Sequence, residues 1–251
     1  MSNAYLLLSH GSRDPRPQIA IDQLAQQLSL WLQQSAVVGE ASPLENRLPI
    51  LVATAQLELA TQPLSIQISD FAHRSQQIGL TRVVILPLFL IPGVHVMDDI
   101  PAEVTIAKRE IGAGVELVVA PWLGAHPDLA NLFAQHSSDL PSQTIILAHG
   151  SRRAGGNAIV EQLANRLKLT AAYWSVAPSL ADAVAEMIAT GATEIGILPY
   201  FLFAGGITDA IEKLVSELRA QYPQVQLRLG EPMGNSPELV GTIGSILRSI
   251  E

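Results

Sequence analysis

Leu6–Arg13, LLLSHGSR, returns in the second half of the chain as Ile145–Arg152, IILAHGSR. Two more matches follow in the same order: Val83–Gly93, VVILPLFLIPG, with Ile195–Gly205, IGILPYFLFAG, and Leu123–Leu129, LGAHPDL, with Met233–Leu239, MGNSPEL. Three matches in one order identify a tandem duplication, the second copy being shorter between the first two blocks. Each copy opens with a short apolar strand ending at HGSR and continues into an amphipathic stretch (Ile19, Ile21, Leu24, Leu28, Leu32; then Ile159, Leu163, Leu167) at broadly helical spacing. A second strand follows around Ile50–Leu57 or Ala172–Val176, then a helix, clearest from Ser179 to Thr190, where Gly191 stops it. The ILP strand comes next, then a Gly-containing loop, a helix from near Ile100 or Asp209, and a last strand at Val115–Ala120 or Val225–Leu229. Strands alternating with helices predict an α/β fold of two similar doubly wound parallel-sheet lobes, with ligands bound beyond the carboxyl ends of the strands. The polar turn His136–Ser142, HSSDLPS, sets the expected boundary, giving an N-terminal repeat over 1–138 and a C-terminal repeat over 139–251.

With 48% hydrophobic and 15% charged residues, 251 residues suffice for one large core or two modest ones. The longest apolar run, Val83–Val96, is broken by Pro87, Pro92 and Gly93 and is shorter than the roughly 20 residues of a membrane-spanning helix. The N-terminal MSNAYLLLSHGSR has no positively charged leader pattern, so a cytoplasmic protein is expected, with no membrane partner. The absence of cysteine excludes thiolate metal sites, iron–sulfur clusters and a cysteine nucleophile, leaving histidine, carboxylate or water for metal chemistry. A net charge of -8 argues against nucleic acid as a partner.

His10 and His95 follow two strands of one unit, so both are expected to project into one crevice at the carboxyl edge of the sheet. A neutral imidazole ligates divalent iron, cobalt, nickel or zinc and also accepts protons. Glu58, at the end of the second strand, is placed to complete a metal site or to take up protons. Each alone has a plain alternative, a turn-capping histidine or a solvated strand-end glutamate; the pairing favours the functional reading. Asp98, Asp99 and Glu103 most simply suit a helix start, Pro101 included, with metal delivery by Asp98 or Asp99 as the other reading. Gly11, Ser12 and Arg13 complete HGSR, where glycine admits a close ligand, Ser12 and the following N–H groups suit an anion, and Arg13 with Arg16 suits carboxylates. His73, His126 and His136 read as surface or supporting residues.

The SHGSR strand end, VVILPLFLIPGVHVMDDIP and the LGAHPDL turn together resemble the sirohydrochlorin chelatase family in its long, two-repeat form, over nearly the whole chain. The resemblance implies the class II chelatase fold, two lobes with an interlobe cleft for a tetrapyrrole. It also implies ATP-independent insertion of cobalt or ferrous iron into sirohydrochlorin, with His10 and His95 as metal ligands and the ion a substrate; no tightly bound cofactor is expected. Beside His10, His95 and Glu58, the residues expected at the pigment are Gly11, Ser12, Arg13, Phe89, Gly93 and His149. The second copy departs from the pattern: it keeps His149 but has Gly206, Ile207 or Thr208 where the first has His95. A two-imidazole site is therefore expected in the first copy alone, and a monomer is favoured because one chain supplies two lobes. A noncatalytic tetrapyrrole or metal carrier using the same residues is the alternative. A nucleotide-binding protein is disfavoured, since no P-loop or GxGxxG follows the first strand.

Overall fold

Every residue of Asn3–Ser9 (β1) is buried, the condition of a central parallel strand covered by helices on both faces. The structure is a computed structural model and describes residues 3–37 and 50–250. Leu51–Gln56 (β2), Arg82–Pro87 (β3) and Glu116–Val119 (β4) join β1 in the order β2-β1-β3-β4, all parallel. The second sheet repeats this with Thr144–Ala148 (β5), Thr170–Tyr173 (β6), Glu194–Pro199 (β7) and Gln226–Leu229 (β8), in the order β6-β5-β7-β8. The chain is thus an α/β protein of two four-stranded parallel lobes.

Strand alternation assigns the faces. Ala4, Leu6, Leu8, Val83 and Ile85 share one core with residues of Leu64–Gln77 (α2) and Ile100–Ile111 (α3), including Ile68, Phe71 and Val104. Tyr5, Leu7, Val84 and Leu86, on the other face, are equally buried. Pro15–Val37 (α1) presents Ile21, Leu24, Leu28 and Leu32 as its buried stripe. Ile19, expected in that stripe, is 55% exposed: the helix begins at Pro15, and its inward face starts at Ile21. Likewise in Ala158–Leu167 (α5) the buried positions are Val160, Leu163 and Ala164, with Ile159 and Leu167 only half-buried. Leu180–Ala189 (α6) starts at Ser179 because Ser179 and Asp182 cap one another reciprocally. Gly206–Gln221 (α7) and α6 cover one face of the second sheet, with Val184, Ile211 and Val215 in its core.

The compact units do not follow the order of the repeats. One unit comprises the described residues up to His126 and those from Asn235 onward; the other comprises Pro127–Gly234. The expected division at 138/139 follows the repeat period, but the last helix of each repeat belongs to the other repeat's unit. Asp128–His136 (α4) buries Leu129, Leu132 and Phe133 in the second unit, the Phe133 ring 4.6 Å from that of Tyr200. Pro237–Ser249 (α8) packs on α1, where Gly244 has no side chain because a Cβ there would overlap the Trp31 ring. The Arg248 guanidinium lies 4.4 Å over that ring, and Asn235 Nδ2 donates to Ala20 O at 2.8 Å. Among the described residues no helix is long and apolar enough to cross a membrane.

Candidate metal site

The parallel ladder between β1 and β2 runs on past the strand ends. Leu57 N–H donates to Ser9 O and Glu58 N–H to His10 O, both at 2.9 Å, so the main chain carrying Glu58 is tied to that carrying His10. Gly11 makes this approach feasible: its φ is +97°, and a Cβ would overlap the Glu58 carbonyl. Leu59, the next residue, has φ 62° and is exposed, a left-handed conformation that costs a leucine on the order of 1 kcal/mol.

His95 arrives by a different route. Leu88 N–H donates to Leu8 O at 2.7 Å, and beyond it the loop is pinned from behind by the LGA turn, Gly124 N–H donating to Phe89 O at 2.8 Å. Only glycine fits at 124, because a Cβ would run into the Leu90 carbonyl. His95–Asp99 then forms one π turn before α3, closed by Ile100 N–H onto His95 O, with Met97 N–H on Gly93 O at 3.2 Å.

The outcome is a cluster of three potential metal ligands: one donor atom from each of His10, Glu58 and His95 lies within 4.8 Å of the others. The two Nε2 atoms are 3.1 Å apart, and Glu58 Oε2 is 4.0 Å from His10 Nε2. Metal–nitrogen bonds of about 2.1 Å at angles between square and tetrahedral put two ligand nitrogens roughly 2.9–3.4 Å apart, so the imidazole spacing suits one shared ion. Glu58, half-exposed, lies farther off and joins the same ion by moving toward both imidazoles. Tautomers follow from the partners: Asp99 Oδ2 accepts from His95 Nδ1 at 2.8 Å, and the Gly11 carbonyl stands 3.2 Å from His10 Nδ1. The two Nε2 atoms then face one point, where they can share a hydrogen or a cation. The Phe89 ring borders both imidazoles, with centroids 6.3 and 6.5 Å away, and packs against the core beneath.

Other expected site residues fare unevenly. At the HGSR turn Ser12 Oγ accepts Asp14 N–H at 3.1 Å and Asp14 Oδ1 accepts Arg16 N–H at 3.0 Å, so these two N–H groups are met by the chain's own side chains. Arg16 is likewise engaged, Nη2 to Asp14 Oδ2 at 2.6 Å, and this hydrogen bonding holds the Asp14 carboxyl below its ordinary range. Arg13 is exposed. Gly93 has open space around its Cα and supplies a carbonyl to the π turn. Glu103 stands in the first turn of α3, as expected, and its Oε2 also accepts Ser65 N–H at 2.7 Å, capping α2. His136 Nε2 contacts the Glu231 carbonyl at 2.8 Å in the second unit, and His73 is exposed on α2.

The second copy repeats the backbone but not the ligands. Trp174 N–H donates to Ala148 O and Ser175 N–H to His149 O, both at 2.9 Å, which makes Ser175 the counterpart of Glu58. After β7 and the loop that follows it the chain enters α7 at Gly206 without a π turn, with Ile207, 38% exposed, at the place of His95. Thr208 Oγ1 accepts Gly205 N–H at 2.8 Å and so serves the helix start. A concavity of about 290 Å³ between α7 and the end of β8 has Glu212, Arg219 and Glu231 in its wall, but Arg219 is bonded to Leu227 O and no histidine lines it. Sequence reasoning missed the Ser175 equivalence and the Asp99–His95 bond; for the latter the i,i+4 spacing was the available signal.

A family model described as CbiX matches residues 4–140 and again 143–249. The sirohydrochlorin cobaltochelatase of Priestia megaterium is 25% identical over 207 residues, 76% of this chain and 66% of that protein. The sirohydrochlorin ferrochelatase of Bacillus subtilis (strain 168) is 23% identical over 163 residues, 59% of this chain and 62% of that one. The chain therefore covers slightly less than two thirds of either relative's length. Among solved structures, SirB from Bacillus subtilis with Fe3+ superposes with a TM-score of 0.72 at 19% identity, covering 99% of this chain and 95% of that one. The CbiX described as the terminal enzyme of siroheme biosynthesis in denitrifying bacteria gives 0.62 at 20%, covering 99% of each chain. These likenesses establish the fold.

Proposed function

This chain belongs to the CbiX family, and from that premise we propose that it is a sirohydrochlorin chelatase, inserting cobalt or ferrous iron into sirohydrochlorin without a nucleotide. The observation that carries the reading is the convergence of His10, His95 and Glu58, with two Nε2 atoms 3.1 Å apart. Relatives named for both metals lie among the proteins it resembles, and imidazole with carboxylate suits either ion.

In this reading the ion is a substrate held by His10 and His95 in a site with open positions, a state that suits transient retention. The macrocycle offers its pyrrole nitrogens to the ion's exposed side; two N–H protons leave, four metal–nitrogen bonds to the ring form as those to the imidazoles break, and the ion passes from imidazole to pigment. Glu58, half-exposed and 4.0 Å from His10, takes up one pyrrole proton, an imidazole vacated by the departing ion takes up the other, and both protons pass to solvent. Phe89 offers an apolar surface beside the ion, Gly93 leaves the loop open there, and the exposed Arg13 pairs with pigment carboxylates. Gly11 contributes through the turn it permits, Ser12 through the cap it makes, and His149 through a subsidiary contact. A single chain, without a second copy, is the proposed acting unit.

The test is anaerobic metallation of sirohydrochlorin followed by the change in its visible spectrum, with each metal offered alone and then in competition. The wild-type chain is expected to accelerate insertion, and His10→Ala and His95→Ala to abolish the acceleration with the fold retained. Full rates in either variant would refute the assignment, and pigment binding without acceleration in the wild type would make the chain a carrier.

A further inference from the structure

The two imidazoles are held by unequal partners. His95 Nδ1 is bonded at 2.8 Å to the carboxylate of Asp99, whereas His10 Nδ1 has the neutral carbonyl of its chain neighbour Gly11 at 3.2 Å. A bond to a charged acceptor is shorter and roughly twice as strong, fixes the ring's orientation and raises its strength as a ligand. The His95 side chain is 34% exposed against 48% for His10.

The local backbone accompanies this difference. His95 and Asp99 are the two ends of a single π turn, a form concentrated at functional sites. In the second copy, where Ile207 stands at the place of His95 and the buried Ile211 four residues on, α7 is regular from its first residue. The distorted turn therefore occurs in the copy that carries a histidine and its carboxylate.

We infer that Asp99 is a positioning residue: it aims Nε2 of His95 at the ion and makes His95 the retaining ligand, leaving His10 as the ligand that releases first when the ion moves on. The inference rests on His10 and His95 being ligands, as proposed above. Unequal ligands let the transfer proceed stepwise. Loss of the weaker imidazole opens a coordination position while the stronger one still holds the ion.

The measurement is equilibrium titration of the intact chain with cobalt(II) alone, by calorimetry and by the visible bands of the bound ion, so pigment and turnover do not enter. Asp99→Leu is expected to lower cobalt affinity about 10–100-fold. Asp99→Asn, whose neutral amide oxygen still accepts the Nδ1 hydrogen and so keeps the ring's aim without the charge, is expected to recover part of that loss. His95→Ala should cost more affinity than His10→Ala, although both stop insertion. Cobalt affinity within twofold of wild type in Asp99→Leu, equal losses in Asn and Leu, or equal losses in the two histidine variants would overturn the inference. A purely structural role for Asp99 predicts that second result together with a lowered melting temperature. If Asp99→Leu does not fold, the Asn variant and the histidine pair still decide. A wild-type chain that binds no cobalt would sink the metal-site reading itself, which separates that failure from this one.

Discussion

The two repeats build the same rim and furnish it differently. In both, a strand ends at HGSR, the neighbouring strand's next amide bonds to that histidine's carbonyl, and an ILP strand leads through a loop to a helix. In the first the three key positions hold His10, Glu58 and His95; in the second they hold His149, Ser175 and Ile207. Backbone hydrogen bonding conserves the frame of such a site independently of its chemistry, so a repeat can lose its ligands while its fold persists.

The sharpest way to break this comparison is to remove the matched histidines one at a time. His10→Ala should lower metal insertion by on the order of 10²-fold or more, the scale of a positioned group lost from the reacting centre, while His149→Ala leaves cobalt affinity within about twofold. Equal loss in both, read by metallation rate and cobalt titration, would mean that the second rim also holds metal. A matched glycine pair comes next. Gly11→Ala forces a Cβ into the Glu58 carbonyl at a positive φ and should destabilise the chain by about 1–3 kcal/mol and weaken cobalt binding; Gly150→Ala, also at a positive φ and pressed against Val176 and Tyr173, should cost similar stability with cobalt binding unchanged. Denaturant titration beside cobalt titration reads both effects.

A graft sharpens the comparison from the other side. Ser175→Glu with Ile207→His supplies the missing ligand types to the second rim, yet it is expected to add no second equivalent of bound cobalt, because no carboxylate lies four residues on and the helix there has no π turn. A calorimetric stoichiometry of two would show that ligand identity alone suffices. The smallest effect belongs to an exposed helix position: Ile19→Gln should change stability by less than about 0.5 kcal/mol. Val160→Ala, at a fully buried position, should cost roughly 1–3 kcal/mol in the same denaturant experiment.

Much of the fold was legible because parallel strands buried on both faces read as continuous apolar runs, as at Leu6–Leu8 and Val83–Leu86, and because the duplication fixed their order. The faces were less legible near helix starts. Periodicity admits both Ile19 and Ile21, or both Ile159 and Val160, and only the entry angle of each helix decides between neighbours. The juxtaposition of His10 with His95 could be expected from topology, since both follow strands at one sheet edge. The π turn could not, because a bond from Ile100 to His95 leaves no periodic mark over five residues. Nor could the use of the Ser12 hydroxyl and Asp14 at the turn, where an anion site and a self-capped helix start call for the same small polar residues. Ser175 escaped notice since the segment before it shares no obvious sequence with the one before Glu58, and hydrogen bonding alone reveals the match.

The traded end helices bear on biosynthesis. A ribosome delivers Pro127–Gly234, a continuous stretch able to complete its own core, before it delivers α8, so the stripe around Trp31 stays uncovered until more than a hundred further residues have emerged. The first unit's opening segment, made before Pro127–Gly234, is thus finished after it, and through that interval it depends on nascent-chain protection more than the second unit does.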